Sequence, residues 1–351
     1  MQEAPSSLGE IAKRVDARIE EVLDAEMQRW SAIDASLLEP LQSLREFVLA
    51  GGKRLRPAFC QWAFVGAGGD ENDPGVIDAG AGLELLHTFA LIHDDVMDNS
   101  KRRRGNATVH VQFEDAHDER GWRGETRRFG EGAAILIGDL AFVYADQMLR
   151  GAPAAAIDVF NELRLEVNVG QFLDLVGTAR GDVSVELART ICRYKSGKYT
   201  VERPLHLGAA LAGRLDELAV SLTAYGDPLG EAFQLRDDLL GTFGDAALTG
   251  KPVGEDLREG KPTTMFALAR AAAAGADAQL LAARYGAPDL SSEEVAALQS
   301  IFETTGARTA IEQQVAQLID AALEALVDAP ITPGARDELD ALARFVGERD
   351  F

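Results

Sequence analysis

Two cysteines in 351 residues, Cys60 and Cys192, are too few for a disulfide framework or a thiolate-bound zinc site. Positive charge is scarce: 35 Lys and Arg stand against 57 Asp and Glu, a net charge of −22 and a pI near 4.6. Such a chain lacks the basic face that holds nucleic-acid phosphates and the polybasic patch that docks on anionic lipid. The opening MQEAPSSLGEIAKRVDARIEE has no apolar core of the kind a signal peptide carries. No uninterrupted apolar run long enough for a membrane span is read; the best stretches are broken by Glu84, His87 and Asp139. Linkers rich in Pro, Ser or Gly and repeats of fixed period are also missing. Hydrophobic residues at 46% and charged residues at 26% exclude a disordered chain. The expectation is a soluble, cytoplasmic, globular protein without stable membrane insertion.

What is present reads as helix almost throughout. Apolar residues recur at three- and four-residue spacing over 77–97, 133–149 and 157–176. Gly and Pro break the pattern at Gly51-Gly52, Pro57, Pro74-Gly75, Gly151 to Pro153, Gly181, Gly250 to Gly254 and Pro330 to Gly334. Helices of about 15 to 25 residues between such breaks suit a large bundle. The polar, charged segment 101–130 reads as an exposed excursion between two core helices, and the Ala-rich stretch from Ala267 as packing helices. One all-α domain over residues 1–351 is expected.

Chemistry concentrates in acidic clusters. In HTFALIHDDVMD (87–98), Asp94 and Asp98 are four apart and share a helix face, with Asp95 beside them. Carboxylates this close repel unless a cation lies among them, and hard oxygen ligands suit Mg²⁺ completed by water and substrate phosphate. A solvated acidic helix end reads the same in isolation. In FQLRDDLLGTFGD (233–245), Gln234, Asp237 and Asp238 again share a face.

Bases are gathered nearby in the sequence. GGKRLRP (51–57) places Lys53 and Arg56 three apart, on one face of a helix expected to begin after the glycines. Lys101 to Arg104 follow the first acidic cluster, and Lys195, Lys198, Lys251 and Lys261 complete the set. Arg and Lys opposite a carboxylate-held cation suit a diphosphate, although KRRR alone also reads as a solvated loop. No G-x-x-x-x-G-K-[ST] phosphate loop is found, and GAGGD at 66–70 lacks the third glycine of a dinucleotide motif.

Together GGKRLRP, HDDVMD followed by RRRG, FQLRDD and GKPVGEDLREGKPT (250–263) resemble the trans-isoprenyl diphosphate synthases, the polyprenyl synthetase family, most of all the short-chain geranylgeranyl diphosphate synthases. The resemblance covers most of the chain, in the family's order. It implies a helical bundle of the isoprenoid synthase type with a central cavity, usually a homodimer. It implies a Mg²⁺-dependent prenyltransferase that joins isopentenyl diphosphate head-to-tail to an allylic diphosphate. Lys53, Arg56 and His87 would then bind isopentenyl diphosphate. Asp94 and Asp98, supported by Asp95, would hold two Mg²⁺ on the allylic diphosphate, and Asp237, with Asp238 close by, a third. Arg103 would reach the allylic diphosphate and Arg104 the isopentenyl one, while Lys195, Lys251 and Lys261 neutralise the leaving diphosphate. Ser196, where the family usually has Thr, would sit with Gln171 and Gln234 near the developing cation, and Asp174 would orient the metal site.

Two departures from the family's pattern stand out. Gly241 replaces the usual third Asp of the second motif, and Asp245 is not a clear replacement; Asn106-Ala107 replaces commoner residues before Thr108. By the same resemblance, bulk before the first motif sets product length, and Phe89 with the small Ala90 suggests geranylgeranyl diphosphate. Farnesyl diphosphate is the nearest alternative, and Phe89 also reads as ordinary core. A class I terpene cyclase would share fold and first motif but would not need GGKRLRP. A non-catalytic partner subunit would have lost Asp or Arg from the first motif, and none is lost there. His93 and His110 are expected to be structural.

Overall fold

The computed structural model describes residues 4–103, 105–181, 184–244 and 254–348. Their helices follow from apolar stripes at helical spacing: α1 (Ser6–Ser31) buries Leu8, Ile11, Val15, Ile19 and Leu23, a three-and-four spacing that turns one face inward. Among the described residues, β structure is confined to a two-residue antiparallel ladder, β1 (Arg102–Arg103) with β2 (Asn106–Ala107). The chain divides into two compact units.

The N-terminal unit holds Ser6–Ile157 and Leu207–Gly213. After α1 come α2 (Leu38–Leu49), α3 (Leu55–Gly66) and α4 (Pro74–Met97). Asp73 caps α4 by accepting from Gly75 N–H, with Pro74 in the first turn, where a missing N–H costs nothing. Then follow β1, β2, α5 (Val109–Glu119) and α6 (Thr126–Met148). Helix α4 packs chiefly on α6 and α3. It is long and apolar enough to cross a membrane by length and composition, but 61% of its most apolar window is buried as core. Glu84 and His87 stand within that stretch as read, and Glu84 is paired inside the protein with Arg54 at 2.7 Å.

Segment 101–130 is also not the bare excursion expected. It contains the ladder, α5 and the start of α6, because Val109 and Phe113, four apart, bury one side of α5 together with His110 and His117. A surface cavity of about 450 Å³ beside Asp73, Met148 and Leu211 lies at the N-terminal end of α4. Asp94 is about 30 Å farther along that helix at 1.5 Å per residue, so this cavity is not part of the carboxylate site.

The C-terminal unit holds the described parts of Asp158–His206 and Arg214–Phe351, with residues 4–5. It takes in α7 (Ala154–Arg180) from Asp158 onward, α8 (Val185–Ile191), a π-helix (Cys192–Glu202) and the first turn of α9 (Arg203–Leu211). Helix α10 (Leu215–Phe243) is followed by α11 (Glu255–Glu259), α12 (Thr264–Ala272), α13 (Gly275–Arg284), α14 (Ser292–Thr304), α15 (Ala307–Val327) and α16 (Pro333–Glu348). Helix α14 starts in a capping box made by Ser291 and Glu294. The organiser is α10, which packs on α15 and the π-helix.

Candidate active site

The GGKRLRP segment is a shaped loop before it is a helix. Gly51 (φ 93°), Gly52 (φ 150°) and Arg54 (φ 49°) all take positive φ, so α3 cannot begin before Leu55. Lys53 thus precedes the helix, and the expectation that it shares a helix face with Arg56 is corrected by this backbone geometry. A left-handed Arg is held against a cost of order 1 kcal/mol by its own side chain. The buried Arg54 guanidinium donates to Asp16 (2.9 Å), Glu84 (2.7 Å) and the Val48 carbonyl (2.7 Å). Lys53, Arg56 and His87 are half-buried in the same unit.

The first acidic cluster sits at the C-terminal end of α4, with Asp98 as its C-cap and the Asp98 N–H still donating to the Asp94 carbonyl at 2.8 Å. This is the negative end of the helix dipole, the worst place for three carboxylates without added positive charge. Arg103, carried on β1, answers part of that demand: it lies 2.7 Å from the buried Asp95 and 3.4 Å from Asp94. Thr108, where the ladder ends, donates to the Ser100 carbonyl (2.8 Å). With its proton spent there, Thr108 accepts from His110 Nδ1 (3.2 Å), and burial lowers the His110 pKa. His110 is structural, as expected. So is His93: its Nε2 donates to the Ile135 carbonyl at 3.0 Å, and its ring packs on Gly138, where a Cβ would overlap it.

Phe89 is half-buried, with Ala90 beside it. Its ring meets Phe142 of α6 (centroids 4.8 Å) and His93 (4.7 Å). An aromatic pair therefore stands about 7.5 Å up α4 from Asp94.

In the C-terminal unit the π-helix presents Lys195 and Ser196. A π-helix of this length is rare and marks a segment held by its surroundings. Two close backbone approaches hold it. A Cβ on Gly170 of α7 would fall 2.5 Å from Lys195 Cα, and one on Gly197 would fall 3.0 Å from the Gly230 carbonyl carbon of α10. Lys195 Nζ then reaches the buried Asp174 of α7 at 2.5 Å, and the half-buried Gln171 lies one residue past Gly170.

Below these groups runs a buried polar network that sequence reasoning missed. Glu166 accepts both arms of Arg203 (2.6 and 2.7 Å) and pairs with Lys198 (3.0 Å). Burial alone would raise the Glu166 carboxyl, but these bonds outweigh it and hold it below its ordinary value. Arg203 donates to His206, His206 to Thr223, and Thr223 to Glu202. The Lys198–Glu202 spacing of four was the available signal.

The second acidic cluster lies on α10. Gln234 donates to Asp238 at 2.7 Å, one turn apart as the spacing predicts, and Asp237 is half-buried beside it. Burial and then the Asp256 carboxylate push Asp238 up to about 8. Lys261 bonds Asp256 (3.1 Å) and Glu259 (2.8 Å). Arg104, Asp245 and Lys251 lie outside the described residues.

Among the described residues no three Asp, Glu, His or Cys side chains already converge as a closed metal cage would. The donor set nonetheless fits Mg²⁺, which takes one or two carboxylates and keeps sites for water and phosphate. A buried Asp238 pushed toward neutrality and carboxylates at a helix C-terminus both call for a dication. Arg54 was overlooked because its neighbours in sequence drew the functional assignment. Asp256 was overlooked because its partners are set by folding.

The model of one protein family, polyprenyl synthetase, matches residues 39–303. A short chain isoprenyl diphosphate synthase of Methanothermobacter thermautotrophicus is 31% identical over the whole of both chains. A geranylfarnesyl diphosphate synthase of Aeropyrum pernix is 31% identical over 86% of this chain and 92% of its own. Among solved structures, a geranylgeranyl pyrophosphate synthase from Corynebacterium glutamicum, complexed with isoprenyl diphosphate and magnesium, superposes with a TM-score of 0.93. It is 40% identical and covers 97% of this chain and 99% of its own.

Proposed function

The chain belongs to the polyprenyl synthetase family and is a trans-prenyltransferase, and from that premise we propose that it condenses isopentenyl diphosphate head-to-tail with allylic diphosphates to make geranylgeranyl diphosphate. What supports the chain length is the family's use of bulk before the first acidic motif, where this chain has Phe89, its ring against Phe142, five residues before Asp94. A wall of aromatic bulk at that depth ends the space for a growing prenyl tail, while Ala90 beside it keeps the space from closing sooner. Similarity to the Corynebacterium geranylgeranyl synthase points the same way.

In this reading Asp94 and Asp98, supported by Asp95, would hold two Mg²⁺ for the allylic diphosphate, and Asp237, with Asp238 close by, would hold a third. When bound, Mg²⁺ supplies Lewis acidity that makes diphosphate a better leaving group. Arg103, Lys195, Lys251 and Lys261 neutralise the charge that develops on that group as its C–O bond breaks. Asp174 fixes the Lys195 ammonium at 2.5 Å and so keeps it aimed. Ser196, Gln171 and Gln234 turn oxygen dipoles toward the allylic cation. Lys53, Arg56, His87 and Arg104 hold isopentenyl diphosphate with its double bond toward the cation, and the released diphosphate takes the proton. Residues 1–351 act as one synthase domain in the cytoplasm. A homodimer is supported by the stripe of Leu165, Val169 and Phe172 on α7, all well exposed and spaced to share one helix face.

The test is incubation of the purified protein with Mg²⁺, labelled isopentenyl diphosphate and, separately, dimethylallyl, geranyl and farnesyl diphosphate, followed by chromatography of the dephosphorylated products. Geranylgeraniol is expected. Farnesol as the end product would place the floor nearer the metals, and hydrocarbon release without elongation would establish a cyclase instead.

A further inference from the structure

Of the lysines that the sequence gathers with the phosphate-binding bases, Lys198 is spent elsewhere. It is buried, at 8% exposure, and its ammonium lies 3.0 Å from both Glu166 of α7 and Glu202 at the end of the π-helix. From Glu166 the contacts continue through Arg203, His206 and Thr223 and return to Glu202. Six side chains from α7, the π-helix, α9 and α10 thus close a ring. Arg203 has only protons to offer, so His206 accepts at Nδ1 and carries its own proton on Nε2. With His206 neutral, two carboxylates balance two cations.

This ring ties down one end of a segment whose other end carries chemistry. Along α7, Glu166, Gly170 and Asp174 are each four apart and share one face. All three meet the π-helix: Glu166 at Lys198, Gly170 in the backbone approach to Lys195, and Asp174 at the Lys195 ammonium, 2.5 Å away. The two ionic anchors are about 12 Å apart along α7 at 1.5 Å per residue. On the side of α10, Arg193 of the π-helix lies 2.9 Å from Asp227. A π-helix closes its hydrogen bonds over five residues where an α-helix closes them over four, and long runs are rare. Relaxation to α-helix between the anchors would rotate Lys195 off the face that meets Asp174. The Lys198–Glu166 pair opposes that rotation, and Glu202 and Arg203 fix the point where the α-helical path resumes as α9.

We infer that the ring is a positioning device for Lys195: Lys198, Glu166 and Glu202 hold the π-helical register in which the Lys195 ammonium meets Asp174 and faces the departing diphosphate. This rests on the reading that Lys195 neutralises the leaving group. The three residues act through Lys195, so they govern the rate of C–O cleavage and leave the capture of isopentenyl diphosphate to Lys53, Arg56 and His87.

The experiment measures the single-turnover rate at which the full chain, with Mg²⁺ and saturating isopentenyl diphosphate, elongates geranyl diphosphate, and beside it the KM for isopentenyl diphosphate. Lys198→Met with Glu202→Gln removes one charge of each sign, so the remaining Glu166–Arg203 pair stays balanced. This double variant is expected to slow elongation about 10- to 100-fold, the cost of a reacting group displaced by about 1 Å, with KM within about threefold of the parent. Lys195→Ala is expected to slow elongation too. Adding the double substitution to it should slow the reaction by less than about threefold more, because a positioning group has no effect once the group it positions is gone. Losses that multiply in the triple variant, as a structural role alone would give, would overturn the inference, and so would a parent-like rate in the folded double variant. Lys195→Ala at the parent rate would instead remove the assignment of Lys195 beneath it. If circular dichroism shows that the double variant does not fold, Glu166→Gln, which keeps the shape and loses the charge that Lys198 and Arg203 share, decides in the same cycle with Lys195→Ala.

Discussion

Arg54→Met removes a buried cation from beneath the GGKRLRP loop. Its strongest partner, Glu84, is 3% exposed and lies 2.7 Å from the guanidinium, and among the described residues Glu84 Oε1 has no hydrogen-bond partner to compensate. A carboxylate stranded at that depth costs about 3–5 kcal/mol. Asp16 is 35% exposed, so its lost pairing is screened and adds less than about 1 kcal/mol. For a chain of this length the unfolding entropy converts such a loss into a fall in Tm of roughly 4–7 °C. Thermal unfolding followed by circular dichroism at pH 7 measures it directly. The companion variant Arg54→Met with Glu84→Leu removes both charges and should recover most of the loss, since an apolar pair is no worse than a buried ion pair. Lys53 and Arg56 flank the altered residue, so the single variant should also raise KM for isopentenyl diphosphate with little change in kcat. A Tm within about 1 °C of the parent, or a double variant no better than the single one, would refute the reasoning.

Asp94→Asn should lower kcat by roughly 100-fold or more, far beyond the effect of Asp245→Asn; equal losses in a steady-state assay would undo the assignment of the first motif. Phe89→Ala should lengthen the product by one or more isoprene units on chromatography, and an unchanged product would free Phe89 from any floor role. Burial lowers the pKa values of His110 and His206 below the ordinary 6.5. Both therefore stay neutral in the folded state while the unfolded chain takes up protons. Stability is present above about pH 6.5 and declines as pH falls below it. His110→Asn should flatten the decline of Tm between about pH 6.5 and 5, and an unaltered slope in both His110→Asn and His206→Asn would reject this.

The helical architecture was legible because apolar spacing and Gly or Pro breaks are local properties. The break at Gly151 to Pro153 falls between α6 and α7 as read, and the Gln234–Asp238 bond is one turn long, as the spacing predicts. Features that depend on partners distant in the chain were not legible. The start of α3 is set by Arg54, whose left-handed backbone is held by Glu84, thirty residues away. Helix α5 was hidden because its buried face includes two histidines, His110 and His117, which read as polar. Asp256 passed as one more acidic residue in a chain with many, since its nearness to Gly241 exists only after α11 has folded against α10. In the same way Glu166 gave no sign of Arg203, 37 residues on.

The backbone seams at Gly170 and at Gly197 with Gly230 carry a consequence for how this protein can change. Where main chain meets main chain, no side chain remains to be trimmed or enlarged, and any substitution pushes whole helices apart. The perch of Lys195 and Ser196 is therefore closed to gradual tuning. The Phe89–Phe142 contact is made entirely by side chains, and each ring can shrink a few carbons at a time with the backbone still in place. Drift that preserves the backbone has its room there, and on the proposal that Phe89 floors the tail cavity it would be read out as new product lengths.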